Sequence, residues 1–290
     1  MTKTGVCVAP YGRDTGKVNA LALTSIQLTV DMALPAAYNW KDTEIQRTGP
    51  MIYNGVPLRH ELKYYIPEAD LAAMRGRVAA VLRPDEHAGG DGCYHVRSLY
   101  FDDPAFTDVW EKESGAGRRA KTRVRVYNRS PALIRFERKI KVDAYVGKQS
   151  APLTRKQLEA ILGGETSFLL RADSPVLHRF YADYKLRRLR PAVIADYERE
   201  AYTLREGGVR VTFDRKLTAA AGDWNLFSDD GLIFHYAYPP QMLTMEVKFD
   251  GFLPDAVKRL IRPYTARRAE ISKYILCVKA IRQTYARLAI

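Results

Sequence analysis

The stretches Lys121-Thr-Arg-Val-Arg-Val-Tyr127 and Arg135-Phe-Glu-Arg-Lys139 alternate charged and apolar residues over runs that are typical of β-strands. Residues i, i+2 and i+4 of a strand lie on one face of the sheet. Each stretch therefore presents a row of charged side chains on one face and keeps residues such as Val124 or Phe136 for the other. If the apolar face packs against helices, the charged face must line the interior.

Three further stretches combine cations with glutamates in the same way, namely Arg59-His-Glu-Leu-Lys63, Glu198-Arg-Glu200 and Glu246-Val-Lys248. A single strand of this kind is compatible with an exposed edge protected by charge. Several such strands in one chain indicate a sheet that curls around a basic cavity. Because burying many unpaired cations is costly, the cavity must be hydrated, partly paired with acids, and suited to a polyanionic ligand.

The composition is that of a basic globular protein. The chain has 290 residues, of which 47% are hydrophobic, and 46 Lys and Arg residues outnumber 33 Asp and Glu, for a formal charge of +13. The hydrophobic fraction argues against disorder, and the charge favours polyanionic partners. A purely electrostatic nucleic-acid binder does not need glutamates within its basic rows, so we expect no specific nucleic-acid partner.

Three widely spaced cysteines, Cys7, Cys93 and Cys277, are typical of a reduced, cytoplasmic protein. No run of about 18 apolar residues indicates a membrane span, so coupling to a membrane would require a separate partner. Residues 1–55 show no clear periodicity and are predicted to be a weakly ordered amino-terminal extension. Residues 56–290 are predicted to form one domain.

From residue 57 onward, strands are interspersed with helices. The five histidines show no ligand spacing, which argues against a histidine metal site. The pattern predicts an α+β fold built from antiparallel strands, or a barrel decorated with helices. The predicted strands are 59–66, 94–101, 120–128, 133–144, 192–204, 209–217 and 243–249, and the predicted helices are 67–82, 154–163, 174–190, 254–261 and 272–288.

An ordered set of motifs gives the chain a specific resemblance. The motifs are Arg59-His-Glu-Leu-Lys-Tyr64, Arg97-Ser-Leu-Tyr-Phe-Asp102, Lys121 to Tyr127, Phe136-Glu-Arg-Lys139, Lys148, Asp196-Tyr-Glu-Arg199, Val209 to Asp214, Met245-Glu-Val-Lys248 and Ile271-Ser-Lys-Tyr274. Together they resemble the polyphosphate polymerase (VTC, vacuolar transporter chaperone-type) domain of the triphosphate tunnel metalloenzyme superfamily. Each motif alone is weak, whereas the ordered set over residues 57–280 is specific.

The resemblance implies a tunnel of antiparallel strands, ATP as phosphate donor, inorganic polyphosphate as product, and a divalent metal, manganese rather than magnesium. It also implies a set of site residues. Those implied as catalytic phosphate contacts are Lys63, Arg123, Arg125, Lys139, Lys148, Arg199, Arg210 and Lys273; those implied to bind substrate are Tyr197, Ser272, Lys248 and Glu61; and those implied to bind metal are Glu246 and Glu137.

One position departs from the superfamily pattern. The usual Glu-x-Glu-x-Lys opening is here Arg59-x-Glu61-x-Lys63. An arginine replaces one acid, as in polymerase-type members, which argues against two-metal hydrolysis.

Several of these residues also have simpler interpretations. Glu61, Glu137 and Glu246 are compatible with plain cross-strand ion pairing. Arg138 breaks the alternation and is expected to face outward. The run Lys185-Leu-Arg-Arg-Leu-Arg190 is expected to be a solvated helical face.

Three functions are therefore open at this point. The first is a phosphotransferase that extends polyphosphate from ATP. The second is a tripolyphosphatase or nucleoside triphosphatase, in which water replaces the chain end. The third is a non-catalytic module that binds polyphosphate or inositol pyrophosphate.

Overall fold

The computed structural model of the chain describes residues 51–90, 92–261 and 267–288. Most of the predicted extension lies outside these residues. The strands are β1 (Ile52–Tyr53), β2 (Val56–Pro57), β3 (Arg59–Pro67), β4 (Arg83–Pro84), β5 (Cys93–Asp102), β6 (Arg118–Tyr127), β7 (Ser130–Val142), β8 (Tyr145–Leu153), β9 (Arg190–Leu204), β10 (Val209–Ala220), β11 (His235–Tyr236), β12 (Met242–Phe249) and β13 (Arg267–Arg268). The helices are α1 (Leu71–Ala79), α2 (Thr107–Glu113), α3 (Arg155–Leu162), α4 (Pro175–Leu186), α5 (Asp255–Leu260) and α6 (Lys273–Leu288).

Eight strands form a closed antiparallel barrel. Around the barrel they follow the order β10, β12, β3, β8, β7, β6, β5 and β9, and pairing between β9 and β10 completes the ring. The predicted helix-decorated barrel is confirmed.

The alternation of side chains divides the barrel wall into an apolar outside and a charged inside. Val124 and Phe136 are fully buried on the outer face, where they belong to one hydrophobic core with Phe180 of α4. Val247 and Ile66 pack in a second outer core with Val78 of α1. The helices therefore cover the apolar face, and the charged rows remain for the interior, as the sequence predicts.

Local signals fix the start of two helices. Thr154 caps α3 in a capping box with Gln157, and Pro175 occupies the first turn of α4, where a missing N–H costs nothing. The predicted helix 67–82 is shorter than expected. A 3₁₀ turn precedes it at Glu68–Asp70, although the predicted apolar row through Met74 and Val78 is buried.

Strand β8 is the barrel strand that the sequence analysis missed. Its Gly147 lies so close to the hairpin β1–β2 that a Cβ atom there would approach Leu58 Cδ2 to 2.6 Å and Val56 Cγ1 to 2.8 Å. Tyr53 and Val56 of this hairpin are buried against Val142. The predicted boundary between residues 55 and 56 therefore falls inside a hairpin that packs on the barrel.

Strand β8 pairs with β3 only briefly. The described pairing is Arg59 with Val146 and His60 with Tyr145. Farther along β3, Tyr64 and Tyr65 pair with β13 instead. We call this junction of β3, β8 and β13 the seam of the barrel.

Helix α6 closes one end of the barrel. Its Tyr274 and Val278 share a hydrophobic core with Val96, Val193 and Ala195, which occupy the inner faces of β5 and β9. None of the helices in the described ranges is both long and apolar enough to cross a bilayer.

The prediction that residues 185–190 form a solvated face is wrong for Arg187. Its Nη2 donates to Asp103 and Asp108 at 2.8 Å each, and Asp102 lies at 3.6 Å. Because α4 ends at Leu186, Arg187 no longer follows the helical surface on which the basic run was placed. The prediction is also wrong for Leu189, which is buried in the outer hydrophobic core, whereas Lys185, Leu186, Arg188 and Arg190 are exposed.

Candidate active site in the barrel interior

The interior of the barrel contains a cavity of about 960 Å³. Every predicted site residue except Glu137 lines it: Glu61, Lys63, Arg123, Arg125, Lys139, Lys148, Tyr197, Arg199, Arg210, Glu246, Lys248, Ser272 and Lys273. The charged rows of strands that are distant in sequence thus line one cavity. Glu137 is fully buried and contacts the cavity cations Arg123 and Lys148.

Three lysines and two glutamates from β3, β7 and β12 form what we call the lysine cluster. Lys63 Nζ lies 3.3 Å from Glu61 Oε2 and 3.2 Å from Glu246 Oε2. Lys139 Nζ donates to Glu61 Oε1 at 2.6 Å, and Lys248 Nζ lies 2.5 Å from Glu246 Oε1. The cross-strand register sets this arrangement, because Glu246 is directly opposite Lys63, and Lys248 is opposite Glu61.

The electrostatics of the lysine cluster keep both glutamates ionised. Burial by itself would raise the pKa of Glu61, but the charges of Lys139, Lys63 and Lys248 overcome burial and lower that pKa to about 2. Burial also opposes ionisation of Glu246, yet Lys248 and Lys63 hold its pKa well below the usual value. The glutamates therefore act as fixed anions at neutral pH.

Arginines from β6 form a second group around Glu137, which we call the Glu137 cluster. Arg123 holds Glu137 Oε2 through Nε at 2.8 Å and Nη2 at 2.7 Å, and Lys148 Nζ donates to Oε1 at 2.6 Å. Arg125 Nη1 lies 3.9 Å from the same carboxylate and donates through Nη2 to Tyr197 Oη at 3.1 Å. Both oxygens of Glu137 are held by cations, as are those of Glu61 and Glu246. Glu137 alone of the three does not line the cavity, which favours the ion-pairing interpretation for it over metal binding.

A third group joins β9, β10 and α6 at Asp214. Arg199 donates to both oxygens of Asp214 at 2.6 and 2.8 Å, and Lys273 Nζ lies 2.5 Å from Oδ2. The ring of Tyr197 lies beneath both cations, 5.2 Å from Arg199 Cζ and 5.0 Å from Lys273 Nζ. Tyr197 is buried and its ring faces are in contact with cations, which is not an arrangement for stacking on a base.

Asp214 is a site residue that the sequence analysis did not select. It is fully buried, and the charges of Arg199 and Lys273 overcome burial and lower its pKa to about 2. Its position four residues after Arg210 on β10 places both side chains on the inner face. This spacing is the sequence signal that could have identified Asp214 as a residue of the inner face.

Arg210 and Lys121 are cavity residues outside the three groups. Arg210 donates to Asp85 at 2.7 Å and to Tyr94 Oη at 2.8 Å. Lys121 donates to Ser272 Oγ at 3.0 Å, and among the described residues no carboxylate lies within ion-pairing distance of it. Burial lowers the pKa of Lys121 to about 7.

Within the ranges that the structure covers, no group of three His, Cys, Asp or Glu side chains is arranged to hold a metal ion by itself. Glu61 and Glu246 nevertheless share Lys63 and Lys248 as neighbours, so their carboxylates meet in the lysine cluster. Carboxylate oxygens suit a hard divalent cation that takes its remaining ligands from phosphate and water. The donor set therefore fits a metal that binds together with a phosphorylated ligand.

Comparison with known proteins gives one family match. A family model described as the VTC domain matches residues 58–282. No curated protein matches the chain.

Solved structures with similar folds include two putative adenylyl cyclases and one further protein. A putative adenylyl cyclase from Hippeastrum, described as having a dominant triphosphatase activity, has a TM-score of 0.44 and 11% identity, covering 76% of this chain and 95% of its own. A putative adenylate cyclase from Bacillus halodurans has a TM-score of 0.42 and 11% identity, covering 74% and 95%. The PH1819 protein from Pyrococcus horikoshii has a TM-score of 0.40 and 11% identity, covering 76% and 98%.

Proposed function

Because the chain belongs to the VTC domain family, within the triphosphate tunnel metalloenzyme superfamily, we propose that it is a polyphosphate polymerase. In this proposal the protein transfers the γ-phosphate of ATP to a growing chain of inorganic polyphosphate inside the barrel. A divalent metal, manganese in preference to magnesium, assists the transfer.

The observation that supports this most directly is the excess of positive charge in the cavity. The lysine cluster, the Glu137 cluster and the Asp214 group combine eight cations with four carboxylates: Lys63, Lys139, Lys248, Arg123, Arg125, Lys148, Arg199 and Lys273 against Glu61, Glu246, Glu137 and Asp214. The carboxylates hold the cations in fixed positions without neutralising them. A ligand with several consecutive phosphates complements the remaining charge.

In this proposal the cations position the phosphate groups and stabilise their negative charge. Arg123 and Arg125 offer planar guanidinium groups to phosphate oxygens, and the lysines offer point charges. The end of a polyphosphate chain is already ionised, so its attack on the γ-phosphorus needs no protein base. Alignment of acceptor and donor, together with stabilisation of the charge on the transferred group, is then the main task of the residues.

Glu246, with Glu61 beside it, is the proposed place for the metal. A bound cation there would neutralise charge on the phosphate oxygens that complete its coordination. Lys63 and Lys248 flank the carboxylates and orient them. We propose that Glu137, in contrast, positions Arg123 and Lys148 for phosphate.

The remaining predicted residues have supporting roles in the proposal. Ser272 and Lys273 lie where α6 begins, so backbone N–H groups and two side chains can contact phosphate together. We place the protein in the cytoplasm, where the buried thiol of Cys277 would remain reduced. Any coupling to a membrane is assigned to a separate partner.

Incubation with ATP and Mn²⁺, followed by electrophoresis and polyphosphate staining, tests the proposal. A ladder of polyphosphate supports it. Release of inorganic phosphate alone identifies a triphosphatase, and tight binding of polyphosphate without turnover identifies a binding module; either result overturns the polymerase assignment.

A matched pair of variants connects the activity with the cavity. Arg125→Ala should slow transfer more than tenfold, because a charge-assisted contact contributes about 1.5–3 kcal/mol. Lys258→Ala, which removes a 48% exposed cation paired with Asp255 on α5, should have little effect. Equal effects of the two changes would contradict the assignment of the interior as the site.

A further inference from the structure

Three cations at one side of the cavity converge on a single exposed carboxylate. Glu270 lies between β13 and α6, and its side chain is 67% exposed. Lys112 of α2 donates to Glu270 Oε2, Lys141 of β7 lies 3.4 Å from Oε1, and Arg119 of β6 lies 3.9 Å from Oε2. We call these four residues the outer cluster.

The exposure of the partners in the outer cluster is unequal. The side chains of Arg119, Lys112 and Lys141 are only 7%, 17% and 25% exposed, and all three line the cavity. The cations are thus largely shielded by the surrounding protein, whereas the carboxylate that pairs with them is exposed. The hydrogen bond from Lys112 and the charges of Lys141 and Lys112 lower the pKa of Glu270 to about 2, so it is ionised at neutral pH.

This arrangement differs from the three inner groups. In those groups the carboxylates are buried within the wall, and a ligand can bind without moving them. Glu270 instead lines the cavity together with its three cations and occupies the point on which they converge. A phosphate group can contact Lys112, Arg119 and Lys141 together only after Glu270 has moved away.

We propose that the outer cluster is a further phosphate subsite for long polyphosphate chains, and that Glu270 occupies the position of a phosphate group there until such a chain displaces its carboxylate. The inference rests on the proposed function, because it assigns the outer cluster to the same polyanion. Glu270 competes with phosphate for this subsite and takes no part in the transfer itself.

Multivalency explains why chain length matters. A free phosphate must displace Glu270 alone, whereas the next phosphate of a chain already held by the inner groups competes at high effective concentration. Glu270 is itself tethered to the protein and therefore excludes small anions effectively. The three inner groups combine eight cations, enough to contact the three phosphates of tripolyphosphate or ATP, so these short ligands do not require the outer cluster.

Calorimetric titration in EDTA, which prevents metal-dependent turnover, tests whether Glu270 competes with long chains for the outer cluster. The ligands are tripolyphosphate and a long-chain polyphosphate, and the variants are Glu270→Gln and Glu159→Gln. The second is a matched control, because Glu159 is 56% exposed and is paired with Arg155 on the outer helix α3. Glu270→Gln should tighten the binding of long chains roughly tenfold, since three exposed ion pairs no longer compete, and should change tripolyphosphate binding less than about twofold.

Each other outcome has a distinct meaning. If Glu270→Gln and Glu159→Gln bind long chains equally, Glu270 does not compete with long chains at the outer cluster and the inference fails, although the proposed function stands. If Glu270→Gln tightens tripolyphosphate binding as much as long-chain binding, the effect is one of general charge and the inference fails. If the unmodified protein binds neither ligand, both the proposed function and this inference are overturned.

Discussion

Replacing Glu137 by glutamine tests how the cavity keeps its cations in place. Glutamine keeps the shape of the side chain but removes the charge that Arg123, Arg125 and Lys148 share. Removing one partner from a buried ion pair costs about 3–5 kcal/mol, because the remaining charge is left without compensation. Lys148 is 44% exposed and is screened by water, so most of the cost comes from Arg123, which is 13% exposed.

This loss should be visible in thermal unfolding. For a domain of this size, 1 kcal/mol shifts the melting temperature by about 2–4 °C, so we expect a decrease of about 6–20 °C. Tripolyphosphate should bring the variant back toward the unmodified protein, because the phosphates supply the missing negative charge. Ligand at 100 times its Kd adds about 2.7 kcal/mol of stability.

Differential scanning fluorimetry with and without tripolyphosphate or Mn²⁺ measures these effects, with Glu159→Gln as the control. A decrease below about 2 °C would refute the reasoning that Glu137 compensates buried cations. If Mn²⁺ stabilises the unmodified protein and Glu246→Gln but not Glu137→Gln, then Glu137 is the metal ligand, and the role proposed for it here is wrong.

Three further predictions concern single positions. Glu246→Gln should abolish Mn²⁺-dependent turnover and leave the far-UV circular dichroism spectrum unchanged; an unaltered rate removes Glu246 from the site. The affinity for tripolyphosphate should fall as the pH rises through about 7, because burial lowers the pKa values of both Lys121 and Lys139 to about 7. Lys121→Arg, which stays charged, should reduce this fall without abolishing it in calorimetric titrations at several pH values. A protein that begins at Met51 should fold and remain active, because it keeps the hairpin β1–β2 and the bond from Leu58 N to Met51 O; loss of its cooperative melting transition would show that residues 1–50 belong to the core.

The charged alternation made most of the barrel predictable. In a strand such as β6, the alternation of Lys121, Arg123 and Arg125 with other residues indicates which face lines the interior. Strand β8 lacks that evidence, because its sequence contains Gly147, Pro152 and several polar residues, and its place depends on pairing with β7. Pairing with β7 therefore determines that residues 145–153 form a strand, which their local sequence does not indicate.

The pairing of charges within the site was less accessible from sequence. Resemblance indicated which cations face the cavity, but the partners depend on register between strands that are far apart in the chain. Asp214 compensates Arg199 and Lys273, and Arg187 binds two aspartates of α2 and the preceding loop; neither contact has a local signature. The sequence thus predicts that the cavity is lined by cations, and the register between distant strands determines which carboxylate pairs with each cation.

The seam of the barrel affects how the protein opens locally. Strand β5 pairs with β9 along its whole length from Cys93 to Asp102, whereas the described pairing of β3 with β8 is confined to Arg59 and His60. Amide hydrogens exchange with solvent through local opening, whose free energy is smallest where a strand has few ladder partners. Deuterium uptake should therefore begin at the junction of β3 and β8 and reach β5 and β9 last.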